Sequence, residues 1–412
     1  MPPRLARFSA IRSAFSNRNY AIYVAGNSIS LLGYWVQRLA VGWLAWELTE
    51  SGFWLGAIAF VDLFPVVIIG PFAGVLADRV DPRRILQICQ GLAMLQAAAL
   101  CVLTALDLIT IEILLGLSLF LGIAVAVNQP SRLSLVHSLV RPEDITTAVA
   151  LNSVIFNSAR FIGPACAGVV ITGLGVTWAF AINSLSYGAL IVAIGMLRLP
   201  AREATSRKRT GVFDSLGEGM RYAFGHAAIL PLLLLFVAAS MLTRPVFELF
   251  PGFADAVFDR GAGGLAMLTS AVGLGAILGG VWLAQRGTVV GLTRLVLAGT
   301  GLSGVLLLVF TGTDLFWLAM AATALTGVAQ VVCGVGVQTL IQTSVAGHMR
   351  GRVLSLWGII ARGGPAVGAL IMGWASGYLG LRWPVAAGGV LCILAAVLLL
   401  ARRRRMEELL EK

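Results

Sequence analysis

Twelve runs of apolar residues, each long enough to cross a bilayer, alternate along this chain with connections that hold nearly all of its charge. A hydrocarbon core about 30 Å thick takes roughly 20 apolar residues per helix. By that measure, spans are expected near 20–46, 53–76, 85–107, 110–135, 146–172 and 176–197, and after a polar gap near 228–253, 262–285, 291–311, 314–341, 352–378 and 382–401. Backbone groups in lipid must satisfy one another, so the spans are read as helices. A membrane barrel would show short alternating strands instead. Charged residues make up only 12% of the chain, about half of what a soluble domain carries. The pattern predicts an all-α membrane protein of twelve transmembrane helices.

In a soluble protein a net charge of +11 would suggest a nucleic-acid partner. Here its distribution points to topology. Of the 30 Lys and Arg residues, Arg38, Arg160, Arg244 and Arg362 lie deep inside spans, and only Arg260 and Arg382 are assigned to odd-numbered connections. The remainder are assigned to the N-terminal tail, the even-numbered connections with the span ends beside them, and the C-terminal tail. Positive charge stays cytoplasmic, so both termini are expected inside, and no nucleic-acid partner is expected. Residues 1–19 carry Arg4, Arg7, Arg12 and Arg18 without an apolar core, so no cleavable signal is expected. The five cysteines are scattered through spans without ligand spacing and read as small buried hydrophobes.

The longest polar connection divides the chain. The expected organisation is an N-terminal six-helix bundle over 1–197, a cytoplasmic linker with an amphipathic helix over 198–225, a second bundle over 226–401, and a cytoplasmic tail over 402–412 read as a frayed helix. The halves echo each other. Leu76-Ala77-Asp78-Arg79 corresponds to Leu283-Ala284-Gln285-Arg286, and Arg160 before Gly163-Pro164 corresponds to Arg362 before Gly364-Pro365. Paired halves with a site near the midplane are how many secondary transporters are built.

Gly74, Leu76, Ala77, Asp78, Arg79 and Arg83 match the loop between helices 2 and 3 of the major facilitator superfamily, which the chain resembles over its whole length. Asp81 stands where a glycine is usual and Pro82 where a basic residue is usual. Gly163-Pro164-x-x-Ala167-Gly168 resembles the superfamily's antiporter motif of helix 5. Together with ADRVDPRR and LVRPEDITTAVALNSVIFNSARFIGPACAG, the stretch NYAIYVAGNSISLLGYWVQRLAVGWLAWELTESG resembles the enterobactin-exporter-like branch. The resemblance implies a monomeric secondary active exporter of the bacterial cytoplasmic membrane, working by alternating access and driven by protons or another coupling ion. It implies gating roles for Asp78, Arg79, Arg83, Arg84, Gly163 and Pro164, with Asp78 meeting the start of span 11 near Gly351-Arg352. An organic-anion importer and a lysolipid flippase are the alternatives on the same fold.

Ionisable groups inside spans cost several kcal/mol unless paired or wetted, so each is a functional candidate. These are Arg38, Asp62, Arg160, Arg244, Glu248 and Arg362. Arg38 and Asp62 lie equally far from the turn at Glu50 and are expected to pair, as are Arg244 and Glu248 at i and i+4. Arg38 and Arg244 stand at half-chain separation and are read as facing each other around an anionic or acceptor-rich small-molecule substrate. Arg160 and Arg362, each beside a Gly-Pro step, are read as structural or cavity arginines that bind carbonyls freed by the kink. Asp62 and Glu248 are the candidate proton carriers. Gln37, Asn128, Gln129 and Gln338 are the polar residues expected to touch substrate.

Nothing in the sequence supports catalysis or a bound cofactor. A P-loop requires Gly-Lys, and the only lysines, Lys208 and Lys412, follow Arg207 and Glu411. Gly273, Gly275, Gly279 and Gly280 faintly resemble a dinucleotide fingerprint but lie inside a span, where small residues serve helix packing.

Overall fold

A computed structural model describes residues 16–197 and 212–411. The side chains of Val75, Asp78, Thr146 and positions 212–215 lie outside the described part, as do the N-terminal segment and the first half of the polar linker. Among the described residues all regular structure is helical. The helices are α1 (Arg18–Thr49), α2 (Gly52–Leu63), α3 (Pro65–Arg79), α4 (Pro82–Ala105), α5 (Ile111–Leu139), α6 (Ile145–Leu174) and α7 (Val176–Gly195), then the linker helix α8 (Val212–Gly225). There follow α9 (Ile229–Leu242), α10 (Gly261–Arg286), α11 (Leu292–Gly312), α12 (Phe316–Ser344), α13 (Gly347–Leu379), α14 (Arg382–Leu400) and the tail helix α15 (Arg403–Leu410).

Eleven segments are long and apolar enough to cross a membrane, with α2 and most of α3 forming one, Gly52–Gly74, and Ile229–Val257 another. A 32-residue helix, α1, covers the stretch expected as the first span. It falls outside the eleven because it carries Asn27, Gln37, Arg38 and Glu47 along its length. Helix ends follow local chemistry. Asp81 caps α4 by accepting from the Arg83 backbone N–H, with Pro82 at the first helical position. The two departures from the superfamily loop motif are therefore a helix start. Gly175 (φ 92°) makes the one-residue turn after α6, and Gly380 (φ 74°) opens the two-residue turn after α13, at matching places in the two halves.

The chain divides into two compact units: Met1–Leu44 with Pro65–Arg207, and Ala45–Phe64 with Lys208–Lys412. In the first, Tyr20 and Tyr23 of α1 pack with Leu135 and Leu139 of α5 and Leu190 and Ile194 of α7. In the second, the turn between α1 and α2 belongs to the C-terminal helices because small residues let backbones touch. A Cβ at Gly56 would strike the Ala369 carbonyl, and one at Gly373 the Gly52 carbonyl. The indole N–H of Trp46 donates to Asp255 Oδ2 at 2.9 Å in the same unit. Gly275 and Gly279 of α10 press on Ala324 and Val328 of α12, the packing role read from the glycine spacing.

The tail departs from the expected frayed helix. α15 buries Met406 and Leu410 in the core of the second unit, and Arg403 pairs with Glu407 at 3.3 Å. The Glu411 carboxylate that follows accepts from the backbone N–H groups of Gly291 and Thr293, the latter at 2.6 Å. It thereby caps α11, whose own N-cap residue, Gly291, has no side chain to offer.

Candidate functional site

In the first unit the site is built around Trp35. Arg38, three residues on along α1, holds its guanidinium carbon 5.9 Å from the Trp35 ring centroid and lies 3.5 Å from the Tyr34 hydroxyl. From α6, the Arg160 guanidinium carbon approaches the same ring at 5.8 Å. Phe156, one turn before Arg160, meets Trp35 edge-on at 5.9 Å and 71°. Gly163, one turn after it, makes this approach possible: a Cβ there would run into the Cβ of Trp35. Two guanidinium groups thus flank one aromatic ring, a favourable cation–π arrangement. The indole N–H is buried and has no acceptor. Tyr34, Trp35, Arg38 and Arg160 are all half-buried. A planar ring face with an unused N–H, set beside two positive charges, suits a planar, oxygen-rich anion.

The sequence did not announce this grouping: Arg38 and Arg160, on different helices of the first unit, both approach one tryptophan. Gln37 departs from the reading that placed it on substrate. It is 1% exposed, donates to Gln96 Oε1 at 2.9 Å and accepts from Asn183 at 2.8 Å. Gln96 in turn donates to the Leu117 carbonyl at 3.2 Å. The amide ties α1, α4, α5 and α7 together and offers substrate nothing. Asn128 and Gln129 are half-buried on α5, just before Pro130, and each leaves its side-chain carbonyl oxygen without a donor. They remain candidates for contact.

In the second unit the equivalent arginine has another task. The span Ile229–Val257 is broken: α9 ends at Leu242, Arg244–Leu249 is a 3₁₀ segment, and Phe253–Val257 is a π-helical turn. The residue before a proline avoids the α conformation, and Pro245 follows Arg244 directly. Arg244 donates from Nη1 to the Ala361 carbonyl at 3.2 Å. Ala361 stands four residues before Pro365, which has no N–H to give it. The carbonyl freed by the proline is therefore taken by Arg244, a role that was expected of Arg362. Beside it, Ser240 donates to the Ile360 carbonyl at 3.3 Å. Glu248 is half-buried within the 3₁₀ segment, so α-helical i, i+4 spacing does not describe it and Arg244. Trp357 stacks on Phe236 at 5.8 Å with its indole N–H buried and unpartnered. Gln338 on α12, Arg362 on α13 and Asp62 on α2 are half-buried.

At the loop between α3 and α4, Arg83 donates from Nε to the Ile194 carbonyl at 3.1 Å and from Nη2 to the Gly195 carbonyl at 2.8 Å. It caps the C-terminus of α7, where a cation is favoured. Arg79 and Arg84 are exposed, and the Asp78 side chain lies outside the described residues. Arg352, at the helix start that Asp78 was read as meeting, pairs with Glu218 of α8 at 2.7 Å.

Sequence reasoning names Trp35, with Tyr34 and Trp357, as an aromatic cavity candidate but misses two groups. Asp255 was placed beyond the seventh span, which runs on to Val257. Arg132 was counted as a cytoplasmic-end charge, yet it sits inside α5 with its guanidinium on the Asn27 amide oxygen.

Comparison with known proteins agrees with this architecture. Residues 9–411 match the family model described as transmembrane secretion effector. The enterobactin exporter EntS of Salmonella choleraesuis is 25% identical over 383 residues, covering 92% of this chain and 88% of that protein. The staphyloferrin A transporter of Staphylococcus aureus is 30% identical over 166 residues, a match to 40% of this chain and 42% of its own length. Among solved structures, a mutant peptide transporter superposes with a TM-score of 0.77 at 13% identity, covering 95% of each chain. A bacterial homologue of the lysosomal transporter Spinster gives 0.71 at 14% identity, over 95% of this chain and 97% of that one.

Proposed function

The chain belongs to the transmembrane secretion effector family of the major facilitator superfamily, a family of multi-pass membrane transporters and not of enzymes, and we propose that it exports a small, oxygen-rich anionic metabolite such as a siderophore. The observation that carries this reading is Trp35 flanked by the Arg38 and Arg160 guanidinium groups, with its indole N–H unused. Two full-length or partial relatives are named for siderophores, one of them as an exporter, which supports both the cargo class and the direction. Asn128 and Gln129 supply further polar contacts on α5. Arg244, read from its spacing as the second cargo arginine, also holds the break in its own span through the Ala361 carbonyl.

In this reading α1 is the twelfth membrane span, both termini are cytoplasmic, and the protein is a monomer of the bacterial cytoplasmic membrane. Transport proceeds by alternating access and is coupled to a proton gradient, with Asp62 and Glu248 as the carriers. Arg79, Arg83, Arg84, Gly163 and Pro164 take part in gating.

The test is ligand-dependent stabilisation of the purified full chain, using siderophores, phosphorylated metabolites, simple carboxylates and cationic drugs. One oxygen-rich anionic class should raise the unfolding midpoint. Arg38→Ala and Trp35→Ala should each weaken its apparent affinity about tenfold or more, the scale of one lost hydrogen bond to a charged group. Equal stabilisation by cations, or an anion response indifferent to both substitutions, refutes the assignment. Efflux from proteoliposomes with and without an imposed pH gradient tests the coupling.

A further inference from the structure

A second polar cluster lies about 12 Å along α1 from Trp35, eight residues at 1.5 Å each. Arg132 of α5 donates from Nη2 to the Asn27 Oδ1 atom. Its Nε is buried without an acceptor, and so is Asn27 Nδ2. Because arginine has no acceptor to give, the contact fixes which way the Asn27 amide points, so Nδ2 is a true donor. One turn earlier on α1, the buried Tyr23 hydroxyl lies beside Arg132, which can only donate to it, so the hydroxyl's own proton is left without an acceptor. Ser131, next to Arg132 in the chain, is fully buried with an unpartnered hydroxyl. Asn27 and Tyr23 are 0% and 1% exposed.

The unsatisfied atoms share a polarity. Nε and Nδ2 can only donate, and the two hydroxyls can donate. A cation or an apolar group cannot meet them. A water molecule meets the hydrogen bonds but leaves the arginine charge uncompensated within a membrane span, which is costly. A small anion answers both demands. We infer that Arg132, Asn27 and Tyr23 form a binding site for a small anion, separate from the Trp35 site and independent of the cargo assigned to it. The half-buried Arg132 side chain provides the edge from which the anion enters.

The experiment is thermal unfolding of the purified full chain at constant ionic strength, with bulky gluconate replaced stepwise by chloride, phosphate or acetate. At least one small anion should raise the midpoint saturably in the wild type. Response to chloride or phosphate identifies a free inorganic ion; response to acetate alone identifies a small organic carboxylate. Arg132→Gln should abolish the response while leaving the midpoint in gluconate measurable. Should that variant fail to fold, Asn27→Ala and Tyr23→Phe each remove one donor and should weaken apparent affinity about tenfold. No anion-specific stabilisation of the wild type, or a response unchanged in these variants, overturns the inference.

Discussion

Glu411→Ala tests whether the C-terminal tail is part of the fold. In the structure the Glu411 carboxylate accepts from two N–H groups at the start of α11, Gly291 and Thr293, which the helix leaves without an intrahelical partner. Loss of an N-cap side chain costs about 0.5–2 kcal/mol, and a hydrogen bond to a charged group contributes about 1.5–3 kcal/mol. Glu411 is half-exposed, so screening reduces both figures, and a total near 1–2 kcal/mol is expected. At about 2–4 °C per kcal/mol for a unit of this size, the midpoint should fall by roughly 2–8 °C. Glu411→Gln keeps one acceptor oxygen and should lose about half as much. The assay is intrinsic-fluorescence unfolding of the full chain in detergent, with Asp81→Ala as comparator because Asp81 performs the same task for α4 within its own loop. If Glu411→Ala and Glu411→Gln both unfold with the wild type while Asp81→Ala does not, the tail carries no capping energy and the reasoning fails.

Three further outcomes follow from the same geometry. Gln37→Ala, which opens a buried amide network, should lower stability by about 1–3 kcal/mol and leave the cargo affinity of the folded fraction unchanged, as measured by ligand titration. Arg244→Leu leaves the Ala361 carbonyl bare and should cost about 1–3 kcal/mol; Arg244→Lys, which still donates, should cost less in the same unfolding assay. Gly163→Ala drives a methyl group into Trp35 and should cost about 1–3 kcal/mol, with a loss of cargo-dependent stabilisation larger than that of Gly175→Ala, which meets open space but a strained backbone.

Helix placement was legible because span length and hydropathy are properties of single segments. The expected spans and the observed helices coincide within a few residues, and Asp81-Pro82 and Gly175 announce their turns in their own side-chain chemistry. What could not be read was which residues of different helices meet. Trp35 has no special spacing to Arg160; only the close approach at Gly163 brings α6 onto it. The break in the seventh span was signalled by Thr243-Arg244-Pro245, since a residue before proline resists the α conformation, but the acceptor for Arg244 depends on a second proline 120 positions later. The tail looked frayed because eight residues rarely form a helix alone. Its stability comes from burying Met406 and Leu410, a tertiary fact.

The internal repeat duplicates positions without duplicating tasks. Arg38 and Arg244 occupy corresponding places in the two halves, yet one lies against an aromatic ring on an unbroken helix while the other closes a carbonyl freed by a proline. Pro245 accounts for the difference: it forces a 3₁₀ turn where α1 stays helical, and the turn carries Arg244 onto the neighbouring backbone. Capping shows the same divergence, with Asp81 acting inside its own loop and Glu411 reaching back from the end of the chain. If the first unit holds the cargo as proposed, substitutions at Trp35 should change which cargo is bound, whereas substitutions at Arg244 should change whether the span keeps its break.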